Sequence, residues 1–237
     1  MLRALRYAFL FGFAVALSGC AHTPEIPYDH ATANIHTIGL PTPGFQSTPS
    51  VVLASDMGQS FGLIGAAIDA GLQADRDAKF QDILNQQKLS VPDEFSQDIE
   101  TMLSQHGYKV VQIPVTRKNG ILLKDMPAAP EPVDAYLDIS VFDYGYIAAG
   151  IRDKTPYRPF MILQCKLVKA SDGSVLMQDK IELNPVGKSR DKEITLTPNP
   201  DYQFAEFDTL TSHPDKATEG LRESVKQVTT SLGNLLQ

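Results

Sequence analysis

Alternation of apolar and polar residues predicts two groups of strands. Residues 35–40 and 51–54 are short β-rich runs near the start of the chain. Later runs are longer, and Asp172-Gly173 supply the positive φ angles of a tight hairpin turn. This later group consists of predicted strands at 108–113, 134–146, 158–169 and 175–183, with a shorter candidate at 193–197.

Helical spacing of apolar residues predicts two amphipathic helices. The first follows Ser90, a typical N-cap, and ends near Gly107. The second begins at Pro214, because proline suits the first turn of a helix. Residues 75–89 predict a third, more polar helix. The apolar faces are Phe95, Ile99, Met102 and Leu103 in the first helix, and Leu221, Val225, Val228, Leu232 and Leu235 in the second.

Small residues recur at every fourth position ahead of the polar helix. On a helix they form a slowly wrapping stripe that lets another backbone approach closely. This stripe suits a close-packed internal helix, an oligomerisation helix that makes a homo-oligomer, or a membrane-inserting glycine zipper. Asp69 argues against the last, since it limits the apolar run to about eight residues. The stripe is Gly58, Gly62, Ala66, Ala70 and Ala74.

The order of these elements predicts the fold class. Strand, helix, strand and a final meander are typical of an α+β fold, here an antiparallel-rich sheet with helices packed on one side. Residues 20–34 lack periodicity and predict a flexible tether, so residues 35–237 are expected to form a single α+β domain.

Composition supports a folded body and disfavours nucleic-acid binding. Hydrophobic residues make up 43% of the chain and charged residues 21%, as in globular proteins. The formal net charge is −7, and the sequence contains no block of basic residues. A nucleic-acid partner therefore has no electrostatic support.

The first twenty residues have the layout of a secretory signal peptide. Arg3 and Arg6 precede an apolar run over residues 8–17, which is too short for a membrane-spanning helix of about 20 residues. This run ends in Leu17-Ser18-Gly19-Cys20.

The Leu-Ser-Gly-Cys motif resembles the lipobox of bacterial lipoproteins. The resemblance implies removal of residues 1–19, a thioether between Cys20 and diacylglycerol, and acylation of the new N-terminus, with palmitate as an acyl group. Residue 21 is Ala, not the Asp that retains enterobacterial lipoproteins in the inner membrane. The implied address is the outer membrane, with the body facing the periplasm and held stably by several acyl chains.

Three runs in the second half of the chain resemble the TolB N-terminal-type fold. They are Ala-Tyr-Leu-Asp-Ile-Ser-Val at 135–141, the run at 161–168, and Asp-Gly-Ser-Val-Leu at 172–176. Curli-secretion channel lipoproteins and lipoprotein activators of peptidoglycan synthases share this fold, and residues 202–208 also resemble the curli type. The resemblance covers about residues 95–237 and implies a fold and an envelope setting. The predicted tether is shorter than a synthase activator needs to reach through peptidoglycan.

Candidate chemistry is sparse in this sequence. Gly187-Lys188-Ser189 lacks the earlier glycine of a phosphate loop, because Glu182 stands in its place. The five histidines lack zinc-ligand spacing, and no Gly-x-Ser-x-Gly elbow marks a nucleophile. Cys165 has no partner if Cys20 carries lipid, and its apolar surroundings predict a buried free thiol, with a reactive or intermolecular thiol as the alternative. We therefore predict no catalytic residue, no metal and no cofactor.

The predicted strand at 134–146 carries two further expectations. With regular alternation, Asp138 and Asp143 fall on opposite faces and cannot form a carboxylate pair, and Asp138 is expected on a solvated face. The Tyr144-Gly145-Tyr146 segment is either a core pair broken by a bulge glycine or an exposed aromatic binding patch.

Together these features favour a non-enzymatic, lipid-anchored outer-membrane protein that presents its domain for protein–protein assembly with other envelope proteins. One alternative is an envelope hydrolase that acts on peptidoglycan or lipid. Another is a subunit of an outer-membrane secretion or export channel.

Filling the small-residue stripe tests the oligomerisation hypothesis. Gly62→Leu combined with Ala66→Leu is expected to dissociate an assembly that this stripe holds, because the two backbones can no longer approach closely. Sedimentation velocity measures the change, and Gln59→Leu, which lies off the stripe, is the control. An unchanged sedimentation profile for the double variant contradicts the hypothesis.

Overall fold

One eight-stranded sheet organises the chain in the computed structural model, which describes residues 25–54, 70–117, 120–149, 155–186 and 193–237. The strands are β1 Thr37–Pro41, β2 Gly44–Phe45, β3 Ser50–Ala54, β4 Lys109–Ile113, β5 Ala135–Ala149, β6 Arg158–Lys169, β7 Val175–Leu183 and β8 Ile194–Leu196. The helices are α1 His30–Ala33, α2 Ala70–Gln86, α3 Val91–Gln105, α4 Phe207–Ser212 and α5 Pro214–Leu235, with a 3₁₀ turn at Pro200–Tyr202.

The long strand β5 lies at the centre of this sheet. Along one side of it, β1, β2 and β3 follow one another and all run parallel to it. On its other side β6 is antiparallel to β5, and β7 is antiparallel to β6. The strands β4 and β8 extend the two rims in parallel pairs. The longest pairings are thus antiparallel, and the predicted α+β class, with helices on one side of the sheet, is confirmed.

The helices α3 and α5 pack on each other and cover one face of the sheet. Their predicted apolar faces are buried, apart from the partly buried Leu235. They meet the inward side chains of β5, which include Leu137, Ile139 and Tyr146. Among the described residues, no helix is both long and apolar enough to cross a membrane.

The local signals at turns and helix ends also agree with the structure. The Ser90 side chain accepts a hydrogen bond from the backbone N–H of Asp93, as an N-cap does. Gly107 ends α3 with φ of 86°, and Gly173 has φ of 74° in the β6–β7 turn. Both angles favour glycine, which explains why the sequence has glycine at these two positions.

A β-bulge interrupts β5 between Val141 and Asp143. The extra residue is Phe142, and it shifts the alternation by one position, so Tyr144 and Tyr146 enter the core together with Val141. The core interpretation of the two tyrosines is therefore confirmed, and the exposed aromatic patch is wrong. The bulge lies at Phe142 rather than at the glycine between the tyrosines.

Residues 25–34 differ from the flexible tether that the sequence predicted. Ile26 exchanges two backbone hydrogen bonds with Gln178 of β7, of 2.8 and 2.9 Å, and residues 30–33 form α1. Periodicity does not reveal this attachment, because a single bridge involves one residue only. A segment free of the sheet therefore has to end before Ile26.

Cys165 lies in β6 as a fully buried free thiol, as predicted. Its Sγ is 4.0 Å from the Met177 sulfur and 3.7 Å from the Asp179 carbonyl oxygen. Burial raises the pKa of this thiol far above its usual range, so it stays protonated and unreactive.

Gly220 lies where α5 closely approaches a side chain of the sheet. A Cβ at this position would stand 2.3 Å from the hydroxyl oxygen of Tyr146 and 2.8 Å from Cβ of Tyr202. Gly220→Ala is expected to lower the free energy of unfolding by about 1–3 kcal/mol, because overpacking outweighs the better helix propensity of alanine. Urea denaturation measures the change.

The Tyr146→Phe substitution provides a control for this prediction. It removes the hydroxyl, which donates a 2.9 Å hydrogen bond to the Ala217 carbonyl oxygen, and so relieves part of the clash. Gly220→Ala should therefore cost less stability in the Tyr146→Phe background than alone. A Gly220→Ala protein as stable as the parent would refute the close approach.

Candidate functional site

The residues of the predicted anchor lie outside the described part of the chain. They are Leu17, Ser18, Gly19 and Cys20. Three positions of the small-residue stripe, Gly58, Gly62 and Ala66, also lie outside it, as does the Gly187-Lys188-Ser189 run. Anchor and stripe therefore stay predictions.

The C-terminal end of the stripe reaches α2. Ala70 is the first residue of this helix, and Ala74, one turn later, is exposed to solvent. The core side of α2 is instead formed by Phe80, Ile83 and Leu84. Ala74 thus lies away from the core contacts, which leaves it accessible to another molecule.

Two carboxylates converge on the first residues of β3. Oδ1 of Asp143 accepts hydrogen bonds from Oγ of Ser50 and from the backbone N–H of Tyr144, both 2.8 Å. Oδ1 of Asp77, on α2, accepts from the backbone N–H of Val51 at 2.7 Å. The cluster fixes β3 between β5 and α2, and we call Ser50, Asp77 and Asp143 the β3 carboxylate cluster.

Burial changes the acidity of both carboxylates. It raises the pKa of Asp143 to about 6, hydrogen bonds from Ser50 and Tyr144 oppose the rise, and the charge of Asp77 adds to it. Burial also raises the pKa of Asp77, against the hydrogen bonds that it receives from Val51 and Gln73. A carboxyl with a pKa near 6 can exchange a proton close to neutral pH.

The β-bulge explains why the sequence did not predict this cluster. The shift at Phe142 places Asp143 on the same face as Asp138, because their partners Ile162 and Lys166 are four residues apart on β6. The expectation that the two aspartates fall on opposite faces is therefore wrong. Asp143 is the charged residue inside the otherwise apolar run 141–146, and this position was the available sequence signal that its side chain is buried.

Asp138 forms a buried ion pair with Arg117. Nη1 of Arg117 is 2.8 Å from Oδ1 of Asp138, and their side chains are 5% and 0% exposed. The same guanidinium donates to the carbonyl oxygens of Ile139, at 3.0 Å, and Thr42, at 3.3 Å. The backbone N–H of Leu123 donates to the other oxygen of Asp138. The expectation of a solvated Asp138 is therefore wrong.

The segment that carries Arg117 covers this face of the sheet. Beyond Arg117, the Leu123 carbonyl oxygen accepts a hydrogen bond from Nζ of Lys166, the β6 residue paired with Asp138. A Cβ at Gly120 would stand 2.3 Å from the carbonyl oxygen of Val141, so this backbone lies directly on β5. This segment is rich in proline and lacks periodicity, and neither property indicates which face of the sheet it covers.

The described residues bring together parts of the chemistry that a hydrolase would need. Ser50 donates a hydrogen bond directly to the Asp143 carboxylate, whereas the serine of a catalytic triad is hydrogen-bonded to a histidine, and the described contacts of Ser50 include no histidine. Within the described part of the chain, no group of three His, Cys, Asp or Glu side chains could hold a metal ion.

Comparisons with known proteins return structural likenesses only. No protein-family model and no curated protein matches the chain. Protein XCC0632 from Xanthomonas campestris, of the DUF330 family, is 14% identical over 83% of this chain and 81% of its own, with a TM-score of 0.41. A candidate neuraminyllactose-binding hemagglutinin homolog from Helicobacter pylori is 11% identical over 86% of this chain and 87% of its own, with a TM-score of 0.37.

A candidate lipoprotein from Caulobacter crescentus is 14% identical over 62% of this chain and 83% of its own, with a TM-score of 0.28. TM-scores below 0.5 at such identities carry no argument about activity or partners.

Asp143→Asn tests the free-energy cost of burying an ionised carboxylate in the β3 carboxylate cluster. The parent binds this proton more tightly when folded, so its free energy of unfolding should fall as pH rises from about 4 to about 6. Asparagine stays neutral and keeps an oxygen for Ser50. The variant should match the parent at pH 4 and exceed it above pH 7 by up to roughly 3 kcal/mol. Urea denaturation across this range measures the difference.

Asp134→Asn is the matched control, for which the expected change in stability at pH 7 has the opposite sign. Hydrogen bonds from the backbone N–H groups of His36 and Thr37, of 2.9 and 2.8 Å, lower the pKa of Asp134. The ionised carboxylate stabilises the fold at pH values above its usual pKa. Asp134→Asn should therefore lose stability at pH 7, and the loss should become smaller in acid. If Asp143→Asn also loses stability at pH 7, the burial argument fails.

Proposed function

We propose that the protein is a lipid-anchored component of the bacterial cell envelope that presents its α+β body for assembly with other envelope proteins and catalyses no reaction. The observation that carries the proposal is Leu17-Ser18-Gly19-Cys20 at the end of a short apolar run. An apolar segment of this length is suited to export and cleavage rather than to spanning a bilayer. The cysteine supplies the atom that would bear the lipid.

The structure supports a short connection between this anchor and the body. Ile26 is already hydrogen-bonded to β7, only six Cα steps after Cys20. Six extended residues span at most about 22 Å. A body held so close to its anchor suits contacts with membrane-bound partners better than contacts across the periplasm.

The contacts of the reactive side chains support the proposal that the body does not catalyse a reaction. Asp138 is paired with Arg117 in the interior, Asp143 is bound to Ser50, and Cys165 is buried and protonated. Each of these groups is occupied by a contact that holds two elements together. Groups used in this way are unavailable to a substrate.

Substitution of the lipobox cysteine tests the proposal. Intact-mass analysis of protein extracted from membranes should show a chain that starts at Cys20 and carries added fatty acyl mass. Cys20→Ser should abolish both the processing and the acyl mass, because serine has no thiol for the thioether. Crosslinks to envelope proteins, seen by mass spectrometry in cells with the parent chain, should be lost with it.

Cys165→Ala is the control for this experiment. It removes the other cysteine, which lies buried in β6 and cannot receive lipid in the folded protein. Its processing, membrane fraction and crosslinks should equal those of the parent. A Cys20→Ser chain that is processed normally and stays tightly in the membrane fraction would overturn the anchor, and a parent chain without crosslinks would overturn the assembly role.

A further inference from the structure

The strand β4 lies at a rim of the sheet and pairs with β1 alone, in parallel. The backbone N–H of Lys109 donates to the His36 carbonyl oxygen at 2.8 Å, so Lys109 faces β1. In a parallel pair, every second residue of a strand bonds to the same neighbour. The backbone N–H and C=O groups of Val110 and Gln112 therefore point away from the sheet, and we call these four groups the β4 rim.

Other rims of the sheet are covered by the chain itself. On β3, the outward N–H of Val51 donates to the Asp77 carboxylate at 2.7 Å. Along β7, both Ile26 and the strand β8 pair with the outer side. The strand β8 is itself open but has only three residues, whereas β4 has five. Within the described ranges, β4 thus combines a full-length strand with a rim to which no other group of the chain is bound.

Helix α3 gives the β4 rim a negative surrounding. Nε2 of Gln112 donates to Oε2 of Glu100 at 3.2 Å, so this carboxylate stands beside the rim. The helix contains four acidic residues and no Lys or Arg. Of these four, Glu94 is bound to Arg222 on α5 at 3.2 Å, and no ion pair of the described residues neutralises the other three. Their charge is available to a molecule that binds here.

An open groove of about 610 Å³ follows the solvent side of α3 and includes Glu100, the residue that contacts β4. Its walls carry amides, hydroxyls and one carboxylate. The lining residues are Gln97, Glu100, Thr101, Ser104 and Gln105. Lys109, the basic residue of β4, is already bound to Glu131 at 2.7 Å. A segment beside β4 therefore meets hydrogen-bonding groups and unbalanced negative charge.

We propose that the β4 rim is the assembly site and that its occupant is an extended, basic segment of another envelope protein. This inference deepens the proposed function and rests on its assembly role. The segment adds to the sheet as a further strand, because its backbone supplies partners for Val110 and Gln112. Its Lys or Arg side chains on the helix side meet Glu100. A second copy suits the rim less well, since two acidic α3 helices would then lie side by side and repel each other.

Amide hydrogen exchange with two synthetic peptides tests this site on the full-length protein in mild detergent. In the protein alone, the amides of Val110 and Gln112 should exchange faster than that of Val111, which lies in the β1–β4 ladder. The basic peptide Thr-Lys-Val-Thr-Val-Lys-Thr should slow exchange at 110 and 112 by at least about tenfold at saturation, because new backbone hydrogen bonds form. The acidic peptide Thr-Glu-Val-Thr-Val-Glu-Thr should require a higher concentration for the same effect.

Two pairs of variants separate the backbone contribution from the charge. Gln112→Pro removes an outward N–H but no bond to β1, so it should weaken binding of the basic peptide at least about tenfold. Gln112→Ala keeps the N–H and should bind like the parent. Glu100→Gln leaves the backbone intact, also where proline at 112 prevents folding, and should weaken the basic peptide about two- to fivefold. Asp172→Asn, which removes an equal charge at the β6–β7 turn, should have no effect.

Several results would overturn the site. They are no slowing at 110 and 112 with either peptide, equal affinity for both peptides, and slow exchange in the protein alone that disappears on dilution, which would identify a second copy as the occupant. Intact mass and crosslinks of the Gln112→Pro chain in cells separate this inference from the proposed function. An acylated Gln112→Pro chain that keeps the crosslinks of the parent overturns the β4 rim and leaves the assembly role standing, whereas a parent without crosslinks overturns that role itself.

Discussion

The extra residue that Phe142 adds to β5 decides which side chains of the central strand enter the core. Ahead of it, Leu137, Ile139 and Val141 face the helices, and beyond it Tyr144 and Tyr146 do. Without the shift, Asp143 would face the helices, where an unpaired carboxylate is costly. The bulge instead places this aspartate beside Ser50, so one extra residue both completes the core and creates the β3 carboxylate cluster.

The same strand also explains how the first three strands are arranged. β1, β2 and β3 are short, and each pairs with a different part of β5, so together they form one interrupted edge. Interruptions leave gaps in a hydrogen-bond ladder, and side chains fill them here. Asp143 binds Ser50 at the start of β3, and Arg117 reaches the Thr42 carbonyl oxygen just after β1. Buried charged groups thus hold an edge that backbone pairing alone leaves incomplete.

Opposite faces of the sheet are covered in different ways. Amphipathic helices cover one face with apolar side chains, a mechanism that needs only area and shape. The proline-rich segment after β4 covers part of the other face through the Arg117–Asp138 pair and the Leu123 contacts. Such pairs contribute less net stability than apolar packing of the same volume, but removing one partner leaves an unpaired buried charge. They therefore fix where this segment lies.

The sequence by itself determined the features that depend on neighbouring residues. Ser90 and Gly107 bound α3, Asp172-Gly173 makes the β6–β7 turn, and Pro214 opens α5, because caps, turns and helix starts are satisfied within a few residues. The lipobox resemblance is likewise local. Only the tertiary structure decided the parallel alignment of β1–β3, the burial of Asp138, the β3 carboxylate cluster and the attachment of Ile26. Each of these joins residues far apart in the chain, and alternation cannot reveal such partners, because it records which face a side chain takes but not what lies opposite it.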